Sequence, residues 1–446
     1  MTNILNRNTL GLAIAVGLAP FVAMADTANG YGCSAYEFST SLPSVEGKDG
    51  VFFRTFADLR LQHPMDQRTI VLLGRLAQVL KENGTTLVYV TIPAKSQVMI
   101  DYLPQHVQDY GFDPEMAQMI YTDIISRLAA VGIVAPDLMT ALQNVKGDER
   151  PFFGADFHWT SQGARAAAQA IGTEIKASPA YADVTPSTFE SKPVGKQVAF
   201  SGMRRSLQSF CKDPLPSTET MAYKTTPVES IAGDETAIDI FAGSDKAVPA
   251  VLVGTSFSDS SINNFAGFLS EFTGLDIVNY AITGGNQYGA MTSYLTSDEF
   301  RNQRPRFLIW ENPIYNNLAQ NGSAPLEELI AAAGTSCTDE LATTKIDDYT
   351  LSASLAGLKV HPDDAIFADY GAEGARVASF ALQTTDGITR KSKIDRSARL
   401  RGTGNFYLGL SPFRHPGFTN VSVRFDRPVT DATQLSFCTG PKGDAS

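Results

Sequence analysis

Ala250-Val251-Leu252-Val253-Gly254-Thr255-Ser256-Phe257-Ser258 is the stretch on which the fold turns. Four apolar residues in a row make a strand buried on both faces, the kind found in parallel sheets covered by helices. Gly254 ends the run, and a helix is expected from about Ser260 to Thr273. Strand, tight turn and helix form the repeating unit of an α/β fold, and the unit recurs on either side. Thr86 to Ile92 is a β-branched run that stops at Pro93-Ala94-Lys95-Ser96. Asp276 to Ala281 runs into Thr283-Gly284-Gly285-Asn286, and Pro305 to Trp310 into Glu311-Asn312-Pro313-Ile314-Tyr315. Apolar residues at helical spacing fill Ile70 to Leu80, Pro114 to Ala130, Ser161 to Ala177 and Leu326 to Ala333. Open α/β sheets bind ligands beyond the carboxyl ends of their strands. Each of these turns is therefore a place to look for chemistry, including Lys95 and Ser96.

Ser256 follows one strand directly and opens onto a helix, where backbone N–H groups favour a developing oxyanion. Ser258, Ser260 and Ser261 compete with it but lie further along. A serine needs a base, and histidines are few: His63, His106, His158, His361 and His415. His158 has a carboxylate two residues ahead of it and an Ala-rich helix just beyond, in Gly154-Ala155-Asp156-Phe157-His158-Trp159-Thr160. That order suits a carboxylate that orients an imidazole and an imidazole that moves a proton.

The first residues read as a targeting segment. Leu10 to Val22 is apolar but too short to span a membrane comfortably, and Ala23-Met24-Ala25 fits a small-x-small cleavage site. Residues 1–25 are thus an expected signal peptide, which places the product in the periplasm. Four widely spaced cysteines in an exported chain suggest two disulfides. Of three pairings, Cys33–Cys211 and Cys337–Cys438 are favoured, because each then lies within one of two expected domains, 26–336 and 337–446. The second of these has short alternating segments, such as Arg376 to Leu382 and Val421 to Phe425, separated by Gly, Pro and Asp turns. That is the pattern of a small β-sandwich. Ser178 to Pro249 is less regular and its role is open.

The net charge is −11. From Cys337 onward 13 basic residues balance 13 acidic ones, so the excess lies in the first domain. Within the second, Arg390 to Arg427 holds nine basic residues against Asp395 and Asp426. A local basic cluster on an acidic chain points to a polyanionic ligand and away from general nucleic-acid binding. Lys391, Lys393, Arg396, Arg399 and Arg401 are its candidates, with Phe406 and Tyr407 just beyond. No cofactor or metal is called for: Gly284 to Gly289 lacks the dinucleotide-binding register, and no zinc motif occurs.

Taken together, these segments resemble the SGNH (GDSL-like) hydrolase and acyltransferase superfamily. That resemblance implies a flavodoxin-like parallel sheet with helices on both faces. Gly254-Thr255-Ser256 stands in for its Gly-Asp-Ser turn. Gly284 or Gly285 fits the glycine of its oxyanion hole, and Asn312 its asparagine. Tyr315 and Lys95 are further donor candidates. The D-x-x-H element of the family is here Asp156-x-His158, and it precedes the serine. Both departures are similar to the alginate O-acetyltransferase branch, some of whose members add a carbohydrate-binding β-sandwich. The branch implies an acetyl-serine on Ser256, with His158 as base and Asp156 orienting it. It implies transfer to mannuronate hydroxyls of alginate. It also implies an acetyl donor delivered by membrane or periplasmic acetylation proteins, and other components of a secretion complex as partners. An acetyl esterase and a non-catalytic alginate-binding scaffold are the alternatives.

Overall fold

Four parallel strands form the centre of the first domain: Thr86–Ile92, Phe307–Pro313, Ala250–Val253 and Ile277–Asn279, in that spatial order. The computed structural model describes residues 30–33, 36–62, 65–147, 149–228, 249–334, 336–413 and 417–440. The expected signal peptide, His63 and His415 lie outside them. Val134 extends the sheet by one parallel bridge to Val88. Alternate residues of each strand enter different cores, as a period of two requires. Leu87, Tyr89, Val251, Val253, Leu308 and Trp310 pack on one side with helices Gln67–Glu82, Gly289–Leu295 and Ala324–Gly334. Val88, Val90, Leu252, Phe307 and Ile309 pack on the other with Ser161–Ala177 and Phe265–Thr273. The sheet is covered on both faces, which is why the runs 87–90, 250–253 and 307–310 are apolar without interruption. The expected helix from Ser260 is broken: Asn264 adopts φ +51°, and Phe265–Thr273 starts afresh after it.

The strand order explains the order of the motifs. If Ala250–Val253 is counted as strand one, the sheet reads 2-1-3-4-5 across Ile277–Asn279, Ala250–Val253, Phe307–Pro313, Thr86–Ile92 and Val134. That is the flavodoxin-like order. In the chain, however, its fourth and fifth positions come first. The loop that follows the fifth position therefore carries Asp156 and His158 ahead of Ser256, although the spatial arrangement is unchanged.

The second domain is a sandwich. Its five-stranded antiparallel sheet runs Thr343–Asp347, Thr350–Ser354, Phe418–Phe425, Val377–Thr384, Thr389–Asp395. Its four-stranded sheet runs Asn405–Gly409, Ala365–Asp369, Gln434–Thr439, Ser336–Glu340. Ala378, Phe380, Leu382, Val421, Val423, Phe406 and Leu435 fill the space between them. The outer face of the four-stranded sheet is not solvated. Phe367, Tyr407 and Cys438 join the cluster of Leu329, Ala332 and Ala333 on helix Ala324–Gly334. The Cys337–Cys438 disulfide ties two neighbouring strands of that sheet, and Cys33–Cys211 ties the N-terminal segment to the end of helix Gly202–Gln208.

This interface corrects part of the expected polymer site. Arg396 is buried: its Nη2 donates to Glu328 Oε1 of the first domain at 2.6 Å, and its guanidinium lies 4.5 Å from the Phe406 ring centre. Phe406 is wholly buried in the sandwich core and Tyr407 is buried at the domain interface. Neither ring can stack on a sugar. Arg401 is half-exposed but committed, bonding Glu299 at 2.5 Å across the interface and Glu373 at 2.6 Å. The sequence read a continuous basic surface because interface cations and solvated cations look alike without a partner domain. Lys391, Lys393 and Arg399 remain exposed, Lys393 with Asp395 at 2.6 Å.

Candidate active site

Ser256 is the first residue of the short helix Ser256–Asp259, capped by the Thr255 side chain. Thr255 and Ser258 are tied from below by one buried carboxylate, Glu311 of strand Phe307–Pro313. It accepts from Thr255 N at 2.7 Å, Thr255 Oγ1 at 3.0 Å and Ser258 Oγ at 2.8 Å. Burial raises the Glu311 pKa, against these donors. The approach needs glycine at 254, where a Cβ would stand 2.4 Å from Glu311 Oε2. Ser258 is thereby removed as a rival nucleophile, since its hydroxyl is buried and donates to Glu311.

The His158 loop is built by different means. An antiparallel bridge joins Phe152 to Trp159, and Thr160 caps helix Ser161–Ala177 by accepting from Gly163 N. Asp156 and His158 sit at the tip between them. Asp156 Oδ1 accepts from His158 N at 2.8 Å and lies 2.7 Å from His158 Nδ1. His158 Nε2 lies 2.7 Å from Ser256 Oγ, across 98 residues of sequence. Neighbours hold the two segments together. The Trp159 indole donates to the Phe257 carbonyl at 3.0 Å, and the two rings meet edge to face at 5.3 Å. Each partner is one residue from the group it positions.

Burial would raise the Asp156 pKa, but hydrogen bonds and charge from His158, with the hydroxyl of Ser201, hold it below the usual carboxylate range. Ser201 Oγ donates to Asp156 Oδ2 at 2.5 Å while capping helix Gly202–Gln208. Sequence reasoning missed Ser201 and Glu311. A serine ahead of a short helix signals a cap, but nothing local says which carboxylate it will meet.

The remaining candidates divide. Gly284, at φ +74°, and Gly285 lie in the turn after Ile277–Asn279, where Ile282 N donates to Gly254 O at 3.0 Å. This turn therefore borders the Gly254-Thr255-Ser256 turn. Arg399 of the sandwich reaches it, with Nη1 3.0 Å from where a Gly284 Cβ would stand. Tyr315 is partly buried beside Arg54, whose guanidinium lies 4.3 Å from the Tyr315 ring centre and 4.0 Å from that of Phe157. Burial pushes the Tyr315 hydroxyl up to about 12, against the pull of Arg54. Arg54 is itself clamped by Asp58, at 2.8 and 3.0 Å.

Two expectations fail. The Asn312 amide is buried and donates to Tyr89 OH at 2.9 Å, so it is spent inside the fold. Lys95 and Ser96 are buried as well; Ser96 Oγ donates to the Asp58 carbonyl, and Lys95 Nζ faces backbone carbonyls. Their place past a strand end was read correctly, but the Phe52–Arg54 segment and the His158 loop cover them.

Comparison with known proteins agrees with this architecture. The chain is 33% identical over 277 residues to the alginate biosynthesis protein AlgX of Pseudomonas aeruginosa, covering 62% of this chain and 56% of that protein. It is 34% identical over 250 residues to the probable alginate O-acetylase AlgJ of Pseudomonas fluorescens, covering 54% and 59%. The matched region thus spans little more than half the length of these relatives. The solved structure of Pseudomonas aeruginosa AlgX superposes with a TM-score of 0.75 at 25% identity, over 90% of this chain and 95% of that one. The family model described as "SGNH hydrolase-like domain, acetyltransferase AlgX" matches residues 45–314, which take in the sheet, Asp156, His158 and Ser256. With that match running over more than half of its length, the chain belongs to the AlgX family of SGNH hydrolase-like acetyltransferases.

Proposed function

We propose that this chain is an exported O-acetyltransferase that carries acetyl groups, through an acetyl-serine on Ser256, to hydroxyls of mannuronate residues in alginate. The observation that carries the proposal is the relay Asp156–His158–Ser256, with both contacts of the imidazole at 2.7 Å. His158 Nε2 takes the Ser256 proton as Oγ attacks the acetyl carbonyl. The oxyanion is met by the Ser256 N–H at the start of helix Ser256–Asp259. Collapse expels the donor's leaving group, which takes the proton from His158. A sugar hydroxyl then attacks the acetyl-serine while His158 again accepts a proton; collapse breaks the bond from the acetyl carbon to Ser256 Oγ, which takes that proton back from His158. Such general-base help is worth roughly 10²- to 10⁴-fold.

Arg399 favours a polymeric uronate acceptor, because an exposed guanidinium beside the Gly284 turn suits a sugar carboxylate. Lys391 and Lys393 are exposed on edge strand Thr389–Asp395 of the same domain, Lys393 paired with Asp395. Two disulfides suit a periplasmic setting. There the donor would come from membrane or periplasmic acetylation proteins, beside the other parts of an alginate secretion complex.

The test supplies the pure protein with a small activated acetyl ester and mannuronate oligomers. Acetyl on Ser256 by mass spectrometry, then on the oligomer, is the expected course. Acetyl passing only to water at saturating oligomer makes the protein an esterase.

A further inference from the structure

We infer that Lys95 is a positioning residue, whose ammonium group holds the loop that carries Asp156 and His158 in register with Ser256. The inference rests on the acetyl-transfer reading and deepens it. Lys95 opens the short helix Lys95–Val98, just beyond strand Thr86–Ile92. Its Nζ lies 3.0 Å from the Phe52 carbonyl, 2.6 Å from that of Phe153, 2.7 Å from Gly154 and 2.9 Å from Asp156. Three of these acceptors lie in the five residues ahead of His158, and the fourth in the strand Phe52–Arg54 that covers the loop. An ammonium has three N–H groups, so every donor is in use and one is shared. With the side chain 1% exposed, no substrate reaches it.

The loop's own hydrogen bonds close its base, where Phe153 N donates to the His158 carbonyl and Thr160 N to that of Pro151; Lys95 gathers the outward-turned carbonyls of Phe153, Gly154 and Asp156. Carbonyls gathered toward one point repel each other, and a buried cation is what lets them converge. The geometry at Asp156 passes straight to His158, whose N–H and Nδ1 both engage its carboxylate. The charged groups facing Lys95 are Asp58 and Asp156, which favour the ammonium, and Arg54 and Arg150, which oppose it. The Phe53 ring centre lies 5.6 Å away. Burial dominates and brings the group down to about 7. Loss of the proton leaves two N–H groups and a lone pair before four carbonyls, so the loop slackens as pH rises through neutrality.

The experiment compares wild type, Lys95→Met, Lys95→Arg and Ser256→Ala in the full chain. Acetyl-serine formation from the activated ester, kcat, KM and thermal melting are followed from pH 6 to 9. Lys95→Met should melt cooperatively and keep KM within about 3-fold, while kcat falls about 10- to 100-fold from a misplaced base. Wild-type kcat should decline on the alkaline side; in Lys95→Arg, charged throughout, that decline should vanish. Should the larger side chain not fold, lysine labelled at Cε gives the same answer in the wild-type protein by NMR. The Lys95 signal and the His158 ring signals should then shift with one midpoint. Full kcat in Lys95→Met, or His158 signals indifferent to the Lys95 titration, overturns the inference. Acetylation that survives Ser256→Ala overturns the acetyl-serine reading instead.

Discussion

The 152–160 loop and the 390–406 run are both dense in functional residue types, and folding treated them in opposite ways. In the loop, residues two apart in sequence remain one device: Asp156 Oδ1 still faces His158 Nδ1 at 2.7 Å. In the basic run, neighbours part company. Arg396 goes into the domain interface and Phe406 into a core, while Lys391 and Arg399 stay in solvent. A short loop preserves its contacts because its own hydrogen bonds make them. A strand or turn at a domain boundary distributes its side chains according to what packs on each side. Motif density therefore marks a site only where the motif is closed upon itself.

The comparison is tested hardest at the loop. Ser256→Ala should reduce acetyl-enzyme formation to background, and Asp156→Asn should lower kcat by about 10⁴-fold if the carboxylate sets the imidazole tautomer. Single-turnover kinetics with an activated ester reads both. A loss under tenfold in Asp156→Asn would mean that the loop is a packing feature and not a device.

Within the basic run the expected effects separate by residue. Arg396→Ala leaves Glu328 buried without its cation, which costs about 3–5 kcal/mol; urea unfolding should show it, along with loosening between the domains. Arg399→Ala should leave the urea midpoint unchanged and weaken polymannuronate binding several-fold, more at low salt than at high. If Arg396→Ala instead weakens binding without loss of stability, the two positions have been assigned the wrong way round.

Asp156 also carries a pH signature. Its folded pKa is lowered, so its stabilising contribution is present above the unfolded value of about 3.9 and is lost as pH falls through the folded value. Asp156→Asn should thus be less stable than wild type at pH 6 and converge with it in strong acid. Chemical denaturation at several pH values checks the sign. The smallest effect belongs to Arg401→Ala. Its pairs with Glu299 and Glu373 are partly exposed, and such pairs are worth about 0–1 kcal/mol.

Much of this protein was legible before any coordinates. The buried strands announced themselves by uninterrupted apolar runs, and the sandwich by alternation, because both patterns follow from which faces are covered. Ser256 and the Asp156–His158 pair could be named because turn chemistry and short spacing are local. The cysteine pairing followed from dividing the chain into two domains. Tertiary structure decided the rest. It alone brought His158 to Ser256 across 98 residues, and it showed that the early position of the Asp-x-His motif reflects a rotated strand order in an ordinary sheet. It placed Ser201 under Asp156 and Glu311 under the Thr255 turn, drew Asn312 into the fold, and turned Lys95 from a donor candidate past a strand end into a buried group. These outcomes depend on which distant segment arrives opposite each side chain, and no local pattern of residues carries that information.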